Sequence, residues 1–102
     1  MRYSMIRYRV AADKAAENES YIARVFEELD RQAPPGLRYA AFRMDDGVSF
    51  VHLASSAPGG GQSPLMALPA FRDFTETVRG RCEELPVSSP LQRVGAYNFG
   101  VD

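Results

Sequence analysis

Tryptophan is absent from this chain, and cysteine, histidine and lysine appear once each, as Cys82, His52 and Lys14. A lone cysteine cannot close an internal disulfide, which fits a reducing compartment. One histidine and one cysteine cannot supply a metal site that needs three or four nitrogen and sulfur ligands. No run approaches the roughly 20 apolar residues of a membrane helix, and the segment from Met1 to Arg9 is too charged for the apolar region of a signal peptide. The expectation is a soluble, cytoplasmic protein. Neither sign of charge dominates, with 12 basic and 13 acidic residues and a net charge of −1. No basic stripe invites nucleic acid, and the arginines form no cluster that suggests phosphate binding. Gly59-Gly60-Gly61 lacks the Gly-Lys-Ser/Thr ending of a phosphate loop, and no glycine-rich strand-to-helix unit is present. Nucleotide, flavin and nicotinamide sites are therefore not indicated, and no cofactor or metal is expected.

What is present is an ordinary globular composition, 45 % hydrophobic and 25 % charged over 102 residues. That length gives one domain, residues 1–102, with a single core. The strongest local signal is a hairpin from Leu37 to Ala54, centred on Asp46-Gly47, two residues that tolerate positive φ. Tyr39, Ala41, Phe50 and Ala54 share one face of it; Phe42, Met44, Val51 and Leu53 share the other. Both faces therefore want cover. His52 lies on this hairpin. A two-residue turn pairs it with Ala41 and a three-residue turn with Ala40, so its face depends on the register.

Before the hairpin, Tyr3 to Ala11 alternates as a strand, with Ile6, Tyr8 and Val10 on its apolar side. Asp13 offers an N-cap to a helix over Lys14 to Ala33, whose stripe is Ala15, Ile22, Val25, Phe26, Leu29 and Ala33. Asn18 falls on the same stripe, with Tyr21 beside it. Pro34-Pro35-Gly36 stops this helix. After a loop from Ser55 to Ser63, Pro69 opens a second helix that buries Phe71, Phe74, Val78, Cys82 and Leu85 and ends at Pro86. Leu91 to Phe99 reads as the last strand. The order strand, helix, strand, strand, helix, strand makes an α+β fold, the ferredoxin-like βαββαβ arrangement. It has a four-stranded antiparallel sheet with two helices on one face. Two helices leave the second apolar face bare, so a homodimer packed through the sheet faces is expected.

On the second helix, Pro69-Ala70-Phe71-Arg72-Asp73-Phe74, preceded by Ser63-Pro64-Leu65, resembles the antibiotic biosynthesis monooxygenase-like domains of the dimeric α+β barrel superfamily. The layout and length match over nearly the whole chain. The resemblance implies a small homodimer with a pocket in each subunit between sheet and helices. Some members of that family oxidise phenolic polyketide intermediates with molecular oxygen and no cofactor, and others have no known activity. A haem-degrading branch uses a tryptophan and a helical histidine, and this sequence has neither.

Within that frame His52 is the one side chain with an unperturbed pKa near neutrality. It is either a general base that takes a proton from a phenol or a hydrogen-bonded histidine of the sheet or dimer interface. Asn18 on an apolar stripe needs a partner or a wet helix end, and as a pocket residue it can orient a ligand oxygen. Tyr21, Tyr39 and Phe74, with Tyr8 and Tyr97, are candidates to line an aromatic pocket or to fill the core. Cys82 reads as a small buried hydrophobe rather than a nucleophile, and Asp45-Asp46 belong to the turn. Gln62 and its loop are a candidate lid. The function that follows is a cofactor-independent oxygenase for a small aromatic or quinol substrate, or else a non-catalytic dimeric ligand-binding module.

Overall fold

In the computed structural model, which describes residues 2–57 and 63–99, the first strand β1 (Arg2–Val10) leads through a short 3₁₀ turn into helix α1 (Ala15–Gln32). Strands β2 (Leu37–Arg43) and β3 (Ser49–Ser56) form the hairpin. A 3₁₀ turn over Pro64–Ala67 precedes α2 (Pro69–Thr77), a second one over Val78–Arg81 follows it, and β4 (Cys82–Leu91) closes the sheet. The four strands are antiparallel in the order β2-β3-β1-β4. This is the expected ferredoxin-like α+β fold. The candidate loop and lid, including Gln62, lie largely outside the described residues.

The alternation in β1 turns Tyr8 and Val10 into the core, where both are buried. Register carries the same face across the sheet: Ile6 lies opposite His52, Tyr8 opposite Phe50, and Ala41 opposite His52 on the other side. Of the two registers open in the sequence, the structure adopts the one that pairs His52 with Ala41. The loop is longer than two residues, however. The Met44 N–H donates to Ser49 C=O at 2.8 Å, and Gly47 sits at φ +78° between them. The Asp46 carboxylate accepts from the Val48 and Ser49 amides and the Ser49 hydroxyl, holding the loop closed.

Against this face α1 packs Val25 and α2 packs Phe71, Phe74 and, just beyond it, Val78, all buried. Ala33 ends α1 in the left-handed region at φ 44°, its N–H returning to Leu29 C=O, and Pro34 prevents continuation. Ala33 is thus an exposed cap rather than a member of the buried stripe. Asp13 does not cap the helix either. It is exposed in the 3₁₀ turn before it, and Lys14 stands at the N-cap without a side-chain bond. The carboxylate that does cap a helix is Glu28, whose Oε1 accepts from the Ala70 amide in the first turn of α2 at 2.9 Å.

The C-terminal third departs from the sequence reading. The second helix stops at Thr77, tightens into a 3₁₀ turn and becomes strand at Cys82, so Cys82 is half-buried on β4, and Leu85 is exposed. Gly80 weakens the helix at this point. The last strand is Cys82–Leu91, and 92–99 is not strand. Pro86 is tolerated because β4 is an edge strand and its register with β1 shifts between Arg7 and Arg9. The outer sheet face carries Phe42, Val87 and Leu91 exposed, and among the described residues no helix lies over it. Among the described residues no helix is long and apolar enough to cross a membrane.

Candidate functional site

Between the sheet and the helices, five polar side chains from five elements meet in an otherwise aromatic core. His52 of β3 is 3 % exposed. Its Nε2 lies 2.8 Å from the Tyr8 hydroxyl of β1, and its Nδ1 lies 2.5 Å from the Tyr39 hydroxyl of β2. Asn18, fully buried on α1, donates from Nδ2 to the Tyr8 oxygen at 2.8 Å. Its Oδ1 accepts from Arg81 Nε at 3.0 Å, and Arg81 Nη1 donates to Thr77 Oγ1 at 2.7 Å.

Arginine only donates, and with each hydroxyl giving its proton to a neighbour the assignment of protons along this line follows. Arg81 Nε fixes Asn18 Oδ1 as the acceptor and so turns the amide nitrogen toward Tyr8. The Tyr8 oxygen accepts that bond and gives its own proton to His52 Nε2, the other polar atom beside it. A neutral imidazole that accepts at Nε2 carries its proton on Nδ1 and donates it to Tyr39. The chain therefore runs in one direction, from Arg81 through Asn18, Tyr8 and His52, and ends on the Tyr39 hydroxyl.

Burial fixes the protonation states that this direction requires. It lowers the His52 pKa to about 4, so the ring is neutral at pH 7. Burial likewise pushes both phenols above their usual range; for Tyr8 the Asn18 hydrogen bond and the Arg81 charge partly oppose it, and for Tyr39 the neighbouring Tyr8 adds to it. The rings hold the imidazole in place. Phe74 stacks on it at 5.3 Å between centroids, and Tyr8 stacks on Phe50 at 5.5 Å. Tyr39 stacks on Phe26 of α1 at 5.3 Å and meets Phe71 edge-on at 6.2 Å.

Three of the five candidate residues are thus in direct contact, His52 with Tyr39 and Phe74, and Asn18 joins them through the Tyr8 hydroxyl. Tyr21 stands at the other end, its ring 4.3 Å from the Arg81 guanidinium. Asn18 is at no wet helix end. Arg81 is the member that sequence reasoning missed. Phe71, Phe74, Val78 and Arg81 follow one another at spacings of three, four and three, so a charged residue on an apolar stripe was the available signal.

An open cleft of about 440 Å³ lies at the Leu37 end of the hairpin, and Tyr39 is not among the residues that line it. Leu37 and Ala54 line it with Ser4, Ser56, Ser63 and Pro90, and Ala54 is the residue paired with Tyr39 across the hairpin. A second cleft of about 490 Å³ lies on the outer face, between Phe42 and Leu53 of the sheet and Val94 and Phe99 of the C-terminal segment. Tyr97 is exposed in that segment and lines neither of these two clefts. Among the described residues no three or more His, Cys, Asp or Glu side chains gather as a metal site.

Neither a search of family models nor a search of curated proteins returns a match for this sequence. Solved structures do match over nearly the whole chain. A crystal structure described as an antibiotic biosynthesis monooxygenase superposes with a TM-score of 0.77 at 14 % identity, covering 93 % of this chain and 100 % of the other. SnoaB, described as a cofactor-independent oxygenase from Streptomyces nogalater, gives 0.70 at 21 % identity over 95 % and 96 %. Rv0793 from Mycobacterium tuberculosis gives 0.72 at 13 % over 93 % and 96 %. The chain has the fold of antibiotic biosynthesis monooxygenase structures, as the helix-opening Pro69 to Phe74 segment led us to expect.

Proposed function

We propose that this protein is a cofactor-independent oxygenase acting on a small aromatic or quinol substrate, and that it works as a homodimer packed through the sheet faces. The observation that carries the reading is the buried hydrogen-bonded chain that ends on the Tyr39 hydroxyl. Oxygenation of a phenolic ring without a cofactor requires that the substrate become electron-rich, and an oxyanion developing on its oxygen needs a preorganised donor. The Tyr39 hydroxyl, polarised by the bond it accepts from His52, is such a donor. A ring CH₂ and O₂ then give a ring C=O and water: one oxygen atom stays on carbon, and the two hydrogens leave with the other. In this reading Tyr39 touches the substrate. His52 acts through it, since both imidazole nitrogens are engaged and the ring is a weak base.

The fold supports the reading by analogy, because SnoaB is described as a cofactor-independent oxygenase. The exposed Phe42, Val87 and Leu91 on the uncovered sheet face support the homodimer. A second reading, a dimeric module that binds a small aromatic ligand without turnover, is favoured by one observation: Tyr8, Asn18 and His52 satisfy one another, and neither cleft reaches the imidazole.

Oxygen uptake by the purified, cofactor-free protein decides between them, using a panel of anthrones, naphthols and quinols. Uptake proportional to protein concentration and lowered in Tyr39→Phe is expected. Binding of panel members with no uptake above the buffer rate would contradict the oxygenase in favour of the module.

A further inference from the structure

The far end of the buried chain holds a charge without a counter-charge. Arg81 is 3 % exposed, and no ion pair among the described residues involves it. Its Nε and Nη1 donate to the neutral oxygens of Asn18 and Thr77, while Nη2 is buried and meets no acceptor. Aromatic faces complete the surroundings, with Tyr21 at 4.3 Å and Phe74 at 5.6 Å from the guanidinium carbon. Cation–π contacts and neutral acceptors offset only part of the desolvation of a buried cation, and an unmatched donor adds to the cost.

Nearby, a second arginine converges on the same ring. The Arg24 guanidinium lies 4.8 Å from the Tyr21 centroid, and it too has no ion pair among the described residues. Two unpaired cations on one tyrosine make the locality attractive to an anion. The surface is close: Asn18 and Phe74 are buried, but Tyr21, against the guanidinium, is half-buried and Thr77, bonded to Nη1, is exposed.

We propose that Arg81 Nη2 is a binding site for the carboxylate of a small aromatic acid, with Arg24 on the same Tyr21 ring adding to the positive field. The ligand's ring lies against Tyr21, which moves aside to admit it. A carboxylate fits better than a phenol because it is already ionised at neutral pH, with a pKa near 4 against about 10. The free Nη2 protons offer it charge-assisted hydrogen bonds that no protein group takes. This site is at the opposite end of the chain from Tyr39, and it does not depend on any turnover there.

The test is calorimetric titration of the full chain with benzoate and with its neutral isostere benzamide at pH 7. One benzoate per chain, bound at least tenfold more tightly than benzamide, is expected. Arg81→Gln is expected to erase the preference. Because removing a buried arginine can also unfold the protein, Asn18→Asp provides a second arm. It leaves Arg81 in place and gives it an internal counter-charge, and is expected to weaken benzoate at least tenfold relative to benzamide. Equal affinity for the two ligands, no binding of either, or undiminished benzoate binding in Asn18→Asp would overturn the proposal. Oxygen uptake is measured separately, so failure of the anion site and failure of the oxygenase are told apart.

Discussion

Arg81 Nε stands 3.0 Å from Asn18 Oδ1, and this one bond orients the Asn18 amide toward Tyr8 at the head of the buried chain. Arginine cannot accept, so the amide cannot flip, and Tyr8 and His52 must pass their protons toward Tyr39. The direction of a proton chain inside the core is thereby set by a charge at its edge.

Breaking the chain in its middle leaves two buried partners unmatched. Tyr8→Phe strands Asn18 Nδ2 and His52 Nε2, and urea unfolding is expected to show a loss of about 1–3 kcal/mol. Tyr39→Phe strands only Nδ1 at the half-buried end, and its loss is expected to be smaller. In the oxygenase reading the order reverses for turnover, where Tyr39→Phe is expected to lower kcat on the order of 10²-fold.

His52 gives stability a pH dependence of known sign. Its folded pKa is about 4 and its unfolded value 6.5, so between these the unfolded chain binds the proton and the folded one does not. Stability from this group is complete above pH 6.5, falls as pH drops toward 4, and levels off below, a total on the order of 3 kcal/mol. Urea midpoints across that window are expected to fall less steeply in His52→Gln than in the native protein. Equal slopes would mean that the imidazole is not desolvated.

Much of this arrangement was legible in the sequence, and the failures have physical causes. His52 stood out as the one histidine, and Asn18 as a polar residue on an apolar stripe, and both are buried at the centre of the chain. The register of His52 was not legible, because Asp46-Gly47 permits loops of different length and only the Asp46 carboxylate bonds to Val48 and Ser49 close the one observed. The last strand was misplaced for a tertiary reason. Cys82–Leu91 holds two prolines and two glutamates, poor strand composition, yet it lies where the chain leaves α2 onto the free edge of β1. Leu91 to Phe99 has better composition, but residues 92–99 form no strand and lie instead against the outer sheet face beside Phe42 and Leu53.

Glu28 supplies a cap that α2 lacks at its own N-terminus, where Leu68 makes no side-chain bond. Glu28→Ala is expected to cost about 1–2 kcal/mol in urea unfolding, a magnitude typical of a lost N-cap. Because α2 carries Phe71 and Phe74, near-ultraviolet dichroism of the core aromatics is expected to weaken as well. An unchanged midpoint would show that the contact contributes nothing.

The uncovered sheet face is expected to hold two copies together. Sedimentation velocity at micromolar concentration is expected to give a dimer mass for the native chain, and Phe42→Glu, placing a charge on the exposed face, is expected to give a monomer. A monomer mass for the native chain would remove the homodimer.

The direction of the chain can be read at one atom. In ¹⁵N NMR of the His52 imidazole at pH 7, the proton is expected on Nδ1, which is the less common tautomer of free histidine. In Asn18→Asp the carboxylate accepts the Tyr8 proton, Tyr8 then accepts from His52, and the imidazole proton is expected to move to Nε2. A native ring protonated on Nε2, or a tautomer that ignores the substitution, would contradict a chain oriented from Arg81.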